Sequence, residues 1–511
     1  MRIFSYACCT IMLLCQLHAS PFRQSAYFDN TRGLNRILFD FWTQKGINFP
    51  APASDAVFLR RVALTAAGRL PTANEVKTFL NDPSPDKRSR IIEKFLHDPG
   101  YAGMQAMRFA DMLRIKSEFP INLWPNAVQL WHRTIHDELA QDRPLNRIFY
   151  EMLTVSGSNF RVPHANFFRA SADRSPQGLA KMVLLTVMGI NPGKIPPEMI
   201  QNTALFFSRI RYKSTYEWKE EIVYTDYLPI ELHAALPDGT VKKFTSPADD
   251  PRIIFADWLI KENPAYFCRA MTNRVWHWIF GRGIYPVADD LPLKNEPGNE
   301  PFSAEVQNFL NDEFIKNNCS LRHLYRVIMN SAAFQAAFPA DFPEQTAYFA
   351  AYPVRRLEAE LLVDALAQIT GSYDRYSSVI PEPFTFLPDH FRAVDIADGS
   401  ISNGVLDTFG RPPRDAGTFT ERNTASTDSQ NLYLMNSATL FKRTNLYCRK
   451  LRKHKRQKAF EQIYLDILSR YPTAAEYKIF ENYIRTSPNP GAALQDTVWV
   501  LINSKEFLFH H

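Results

Sequence analysis

Glycine is scarce in this sequence, and cysteine is nearly absent beyond its first residues. The 511 residues include 19 glycines against 35 prolines, a balance that favours stiff connections between short elements and gives no expectation of a Gly-rich phosphate loop. Of six cysteines, Cys8, Cys9 and Cys15 fall at the start, leaving Cys268, Cys319 and Cys448. Three scattered thiols make no disulfide framework, can form at most one bridge, and are expected to be buried structural residues. Neither CxxC nor CxxCH occurs after residue 20. No apolar run reaches the roughly 18 residues needed to span a bilayer: Ile3 to Leu17 is 15 long, and Leu179 to Ile190 contains Lys181. A GxSxG nucleophile elbow and EF-hand spacing are also missing, which removes the sequence marks of a serine hydrolase and of a standard calcium loop.

What remains is an ordinary globular composition, 45% hydrophobic and 22% charged, which excludes a largely disordered, collagen-like or polytopic membrane chain. At this length two or three domains are expected, because single cores stop growing at roughly 250 to 300 residues. Met1 and Arg2, the apolar Ile3–Leu17 stretch and the small residues around Ala19 and Ser20 follow the order of a secretory signal peptide over residues 1–20. Export to an extracytoplasmic place is the expectation, with no transmembrane segment in the mature chain. The net charge is +6, yet residues 442–458 hold nine Lys or Arg and no acid, so the basicity is local and the remainder is slightly acidic. Such a run suits an anionic polymer, a phospholipid surface or nucleic acid; with no interleaved aromatics for base stacking, nucleic acid is disfavoured and a solvated helix face or loop is expected.

Apolar residues recur at three- and four-residue spacing along most of the chain, as in Val57-Leu59-Val62-Leu64, so the fold class is mainly α. The exception is residues 221–244, which alternate and contain Pro237-Asp238-Gly239, a hairpin turn signature. The reading is two helical domains, 30–215 and 251–511, with a small β-hairpin insert over 216–250. Long irregular loops are expected in the C-terminal half, between Ser372 and Gly417. An internal repeat stands out: Arg69-Leu-Pro-Thr-Ala-Asn-Glu75-Val-Lys-Thr-Phe79 and Arg470-Tyr-Pro-Thr-Ala-Ala-Glu476-Tyr-Lys-Ile-Phe480 agree at seven of eleven positions. Thr72 with Glu75, and Thr473 with Glu476, have capping-box spacing, so each copy opens a helix. The endings Phe95 to Tyr101, Ile328 to Phe334 and Leu501 to Phe507 predict an aromatic that folds back on the preceding helix.

These residues resemble a tandem of bacterial domains of unknown function, the second PSCyt domain followed by the first PSD domain. The first match runs from Phe58-Leu-Arg-Arg-Val through Arg108-Phe-Ala-Asp-Met-Leu-Arg114 to Phe206-Phe207; the second includes Asn273 to Gly283, Pro286 to Asp290, Arg355 to Glu360, Phe409-Gly-Arg-Pro412, Glu421-Arg422 and Asn503 to Phe509. The resemblance implies extracytoplasmic placement and no known reaction. It also implies cysteine motifs that this chain lacks: Gly189 to Pro197 stands where a CxxCH segment is expected, and Thr418-Phe-Thr-Glu-Arg422 replaces a CxCER segment. No covalent haem is expected, and the paired losses would follow if those thiols bonded or shared a metal.

Four clusters could carry chemistry. Asp289, Asp290, Asn295, Glu296 and Glu300 gather oxygens suited to a divalent cation such as calcium, or Asp289 and Asp290 pair with Arg274 or Arg282. His132 and His136 share a helix face, but Arg133 stands where HExxH needs its glutamate, so a satisfied pair is expected. Arg355, Arg356, Glu358, Glu360 and Asp364 form one charged group and Arg411, Arg414, Glu421 and Arg422 another. They could grip a carboxylate or sulfate of an anionic glycan, or tie the long loops to the helical body. The sequence thus points to a non-redox binding or assembly module meeting an envelope protein or glycan, with a metal-assisted hydrolase of an extracellular polymer as the alternative.

Overall fold

The computed structural model describes residues 21–24, 28–227, 232–244, 246, 249–293, 296–338, 341–381, 385–487 and 489–511. The expected signal segment and Asn295 lie outside them. The chain is mainly α, with only small sheets beside its helices. No helix among the described residues is long and apolar enough to cross a membrane.

The predicted β insert is present as two small sheets. Leu232–Ala235 pairs antiparallel with Val241–Phe244, closed by the Leu236 N–H donating to the Thr240 carbonyl at 2.8 Å. Gly239 sits at φ +90°, where a side chain would be strained. Glu221–Thr225, expected in the same hairpin, instead pairs with Ile210–Ser214 and Gly157–Ser158.

The insert separates two helical stretches along the chain, but the hydrophobic cores are drawn elsewhere. One core joins Leu38 and Trp42, Phe109, Trp131 and Val183 to Trp276, Phe314 and Tyr325; a second joins Leu64 and Leu70 to Leu362, Phe460, Ile463 and Phe507. The helix Asp55–Ala67 touches both cores and is buried on nearly every side. Its two arginines are buried and use their guanidinium fans on backbone carbonyls. Arg60 donates to Ile467 (2.8 Å) and Phe507 (2.9 Å), and Arg61 to Ala336 (2.9 Å) and His511 (3.0 Å).

The sequence repeat is a structural repeat. In the first copy, Asp55–Ala67 ends on left-handed Gly68, Thr72 and Glu75 close a capping box, and Ala73–Leu80 and Lys87–Leu96 follow. In the second, Arg456–Leu468 ends on left-handed Ser469, Thr473 and Glu476 close the box, and Ala474–Thr486 and Pro490–Ile502 follow. Each copy is locked by its arginine: Arg69 grips Glu75 at 2.8 and 3.0 Å and Asp98 at 2.6 Å, and Arg470 grips Glu476 at 2.8 and 2.7 Å and Glu506 at 2.6 and 2.9 Å. The returning aromatics Tyr101, Phe334 and Phe507 are buried. The two copies also meet, through Arg60 and through a Lys77–Glu461 ion pair at 3.0 Å.

Candidate functional site

A buried ion network lies where helix Pro99–Met112 meets helix Ala359–Thr370 and the irregular segment before Arg422. Arg108 and Asp111 stand one turn apart near the end of the first helix, on a surface otherwise apolar. Glu358 is the N-cap of the second helix and Glu360 lies in its first turn, where the positive helix end favours carboxylates. Arg422 is the hub: its guanidinium reaches Glu360 at 2.6 and 3.1 Å and Asp111 at 2.7 Å. Arg414 reaches the other Asp111 oxygen at 2.8 Å and the Ala397 carbonyl at 2.7 Å. Arg108 and Arg355 share one Glu358 oxygen at 2.7 and 3.1 Å. Arg411 lies 3.5 Å from Glu360 and donates to the Ile401 and Asp398 carbonyls.

The charges hold one another ionised. Burial disfavours the Glu358 carboxylate, yet Arg108, Arg422 and Arg355 outweigh it and bring its pKa down to about 2. Asp111 is lowered against its burial by Arg422 and Arg414. Burial likewise opposes the Arg422 charge, but Glu360, Asp111 and Glu358 drive its pKa well above the usual arginine value. Beside the network, burial and then Arg355 and Arg108 push His277 down to about 3, so the ring is neutral near pH 7. A cavity of about 20 Å³ opens among Arg108, Asp111, Arg274, Asp289, Thr418 and Arg422, enough for one ordered water.

The remaining sequence candidates divide. Asp289 is buried, accepts from Arg274 at 3.2 and 3.3 Å, and takes the Phe419 N–H at 2.9 Å; burial raises its pKa while Arg274 and Phe419 pull the other way. Asp290 accepts from Lys194 at 2.5 Å. The neighbouring carboxylates therefore hold the two segments, 189–197 and 418–422, where the resemblance implies thiols. Glu421 is a clip for its own loop, taking the N–H groups of Asp415, Ala416 and Gly417 at 2.8 to 2.9 Å. Arg282 donates to Thr346 and Ala347 carbonyls and covers the Phe349 ring; Arg356 donates to Ser426 and covers Phe409. Neither joins the network. His132 is buried and His136 half-buried beside Asp137, and among the described residues they form no group with metal-site spacing. A further group with metal-site spacing is Glu138, Glu151 and His164, where Arg143 already bridges the two carboxylates. The sequence reading missed Arg108 and Asp111 as members; the mark they leave is a charge pair three residues apart in a run of apolar residues.

Two family models match the chain in tandem. Residues 34–183 match PSCyt2, a protein of unknown function (DUF1549), and residues 251–484 match PSD1, a protein of unknown function (DUF1553). The chain is a PSCyt2–PSD1 tandem protein. No curated protein and no solved structure matches it. In this tandem protein the ion network crosses the two units: PSCyt2 contributes Arg108 and Asp111, and PSD1 contributes Glu358, Glu360 and the four arginines Arg355, Arg411, Arg414 and Arg422.

Proposed function

We propose that this tandem protein is an exported, non-redox binding or assembly module of the cell envelope. The observation that supports the reading is the inward turn of its charge. Asp111, Glu358, Glu360 and Asp289 each have a guanidinium within 3.5 Å, and the cavity beside Asp111 and Asp289, at about 20 Å³, has room for a water and no substrate. Their arginine partners hold Asp111 and Glu358 in the charged form, which makes these two poor general acids at neutral pH. The network instead clamps the irregular segment to two helices, leaving a stiff body whose contacts are made on its outside. The sequence lacks CxxC and CxxCH beyond residue 20, so covalent haem transfer has no attachment point.

Fractionation of cells producing the full chain tests this reading. The expected result is a species cleaved near Ser20, outside the cytoplasm, that co-sediments with envelope fractions or binds glycans. Recovery of uncleaved chain in the cytoplasm, or a mature protein that binds neither, would overturn it.

A further inference from the structure

No acidic residue lies between Asp428 and Glu461, a stretch that contains nine Lys or Arg. One of them, Arg443, turns inward onto Asp374 at 2.6 and 3.0 Å, the run's one ion pair among the described residues. The other eight, from Lys442 to Lys458, are exposed. The helix Ala438–Leu451 buries Leu440, Thr444, Tyr447, Cys448 and Leu451 on the second core, and that three- and four-residue spacing turns Phe441, Lys442, Leu446, Arg449 and Lys450 outward.

This outward surface is not merely charged. Phe441 and Leu446 are 57% and 49% exposed, and Leu432 and Met435 on the preceding helix Asp428–Asn436 are 58% and 57% exposed. At the C-terminal end of the helix Ala438–Leu451, an open groove of about 500 Å³ is lined by exposed Arg452, His454 and Arg456 and by buried Leu451, Ile484 and Leu494. Exposed cations beside a buried apolar lining, together with protruding aliphatic and aromatic tips, match the layering of a phospholipid interface, with phosphate outermost and acyl chain beneath. A polyanion such as a sulfated glycan or nucleic acid would use the cations but leave Leu432, Met435, Phe441 and Leu446 in water.

The geometry points to residues 432–458, with the groove at the helix end, as a docking surface for an anionic phospholipid bilayer. This inference rests on the binding reading above for its setting and names the partner. Lipid binding in vitro does not require export, so failure of one leaves the other to its own test.

Co-sedimentation of the purified protein with phosphatidylglycerol-containing vesicles, against pure phosphatidylcholine vesicles and immobilised heparin, decides the matter. The expected result is binding to the anionic vesicles alone or far above the other two, weakening as salt rises. Reversing Arg449, Lys450 and Lys453 together to Glu should weaken it by about tenfold or more, and Phe441→Ser with Leu446→Ser should weaken vesicle binding while leaving heparin retention unchanged. These five side chains are exposed, so unchanged thermal unfolding is expected and serves as the folding control. No binding to anionic vesicles, or vesicle and heparin binding that depend on the cations but not on Phe441 and Leu446, would overturn the inference.

Discussion

At the scale of single residues, the two repeat copies contain a natural comparison. The helix-ending position is Gly68 in one and Ser469 in the other, both left-handed, at φ +60° and +57°. Ser469 is fully buried and its hydroxyl has no hydrogen-bond partner among the described residues. Two costs therefore meet at one side chain, and Ser469→Gly should stabilise the protein by about 1 kcal/mol. Gly68→Ala should do the opposite by a similar amount or more, since its added carbon would meet the Met104 sulfur at 3.1 Å. Urea midpoints of the two variants check the pair, and equal signs would refute the strain argument. Arg422 is a harsher case. Arg422→Met would leave the buried Glu360 without its main cation and the half-buried Asp111 with Arg414 alone, a loss of about 3–5 kcal/mol. Arg422→Lys should recover only part of it, because an ammonium cannot make the paired contacts to Glu360.

At the scale of elements, the Arg–Glu–acid clamp holds a helix, a turn and the next helix end together in each copy. Arg470→Met should cost about 2 kcal/mol, the worth of hydrogen bonds between charged groups that are largely buried. Adding Glu506→Gln to it should cost much less than the two single changes summed, as expected for side chains sharing one contact. A double-mutant cycle by urea unfolding measures that coupling, and simple additivity would show that the clamp is not a unit. The capping boxes, the hairpin turn and the mainly α class were legible because each is a local rule: side-chain hydroxyl to backbone N–H, a glycine in a tight turn, apolar spacing. The pairing of Glu221–Thr225 was not legible, since alternation marks a strand but not its partner.

At the scale of the whole molecule, acid should loosen the fold over a defined range. His132 is buried and His277 largely so, and both are neutral, pushed down to about 3 by desolvation first and then by nearby cations. An unfolded histidine titrates near 6.5. Their contribution is thus fully present above that value and is lost as pH falls from about 6.5 toward 3, at up to about 1.4 kcal/mol per unit for each ring. Glu358, lowered to about 2, adds a second loss below its unfolded value of about 4.3. Urea midpoints between pH 7.5 and 5 should fall accordingly, and His277→Gln should flatten that slope; an unchanged slope would show that His277 is protonated or exposed in the native state.

The family, the helical class, the repeat and the local basicity came from sequence alone, because each is written in residues close together along the chain. Arg355, Glu358 and Glu360 in one charged group, and Arg411, Arg414, Glu421 and Arg422 in another, were visible in the same way. Which way they faced was not, since a loop arginine can reach a ligand or a buried acid with equal chemistry. Only the tertiary structure placed Asp111 at 2.7 Å from Arg422 across 311 residues, and only it turned eight cations of the 442–458 run to the outside. The physical reason is the same in both cases: a charge is buried only where an opposite charge or a set of carbonyl oxygens is already fixed to receive it, and those partners are supplied by the fold rather than by neighbours in sequence.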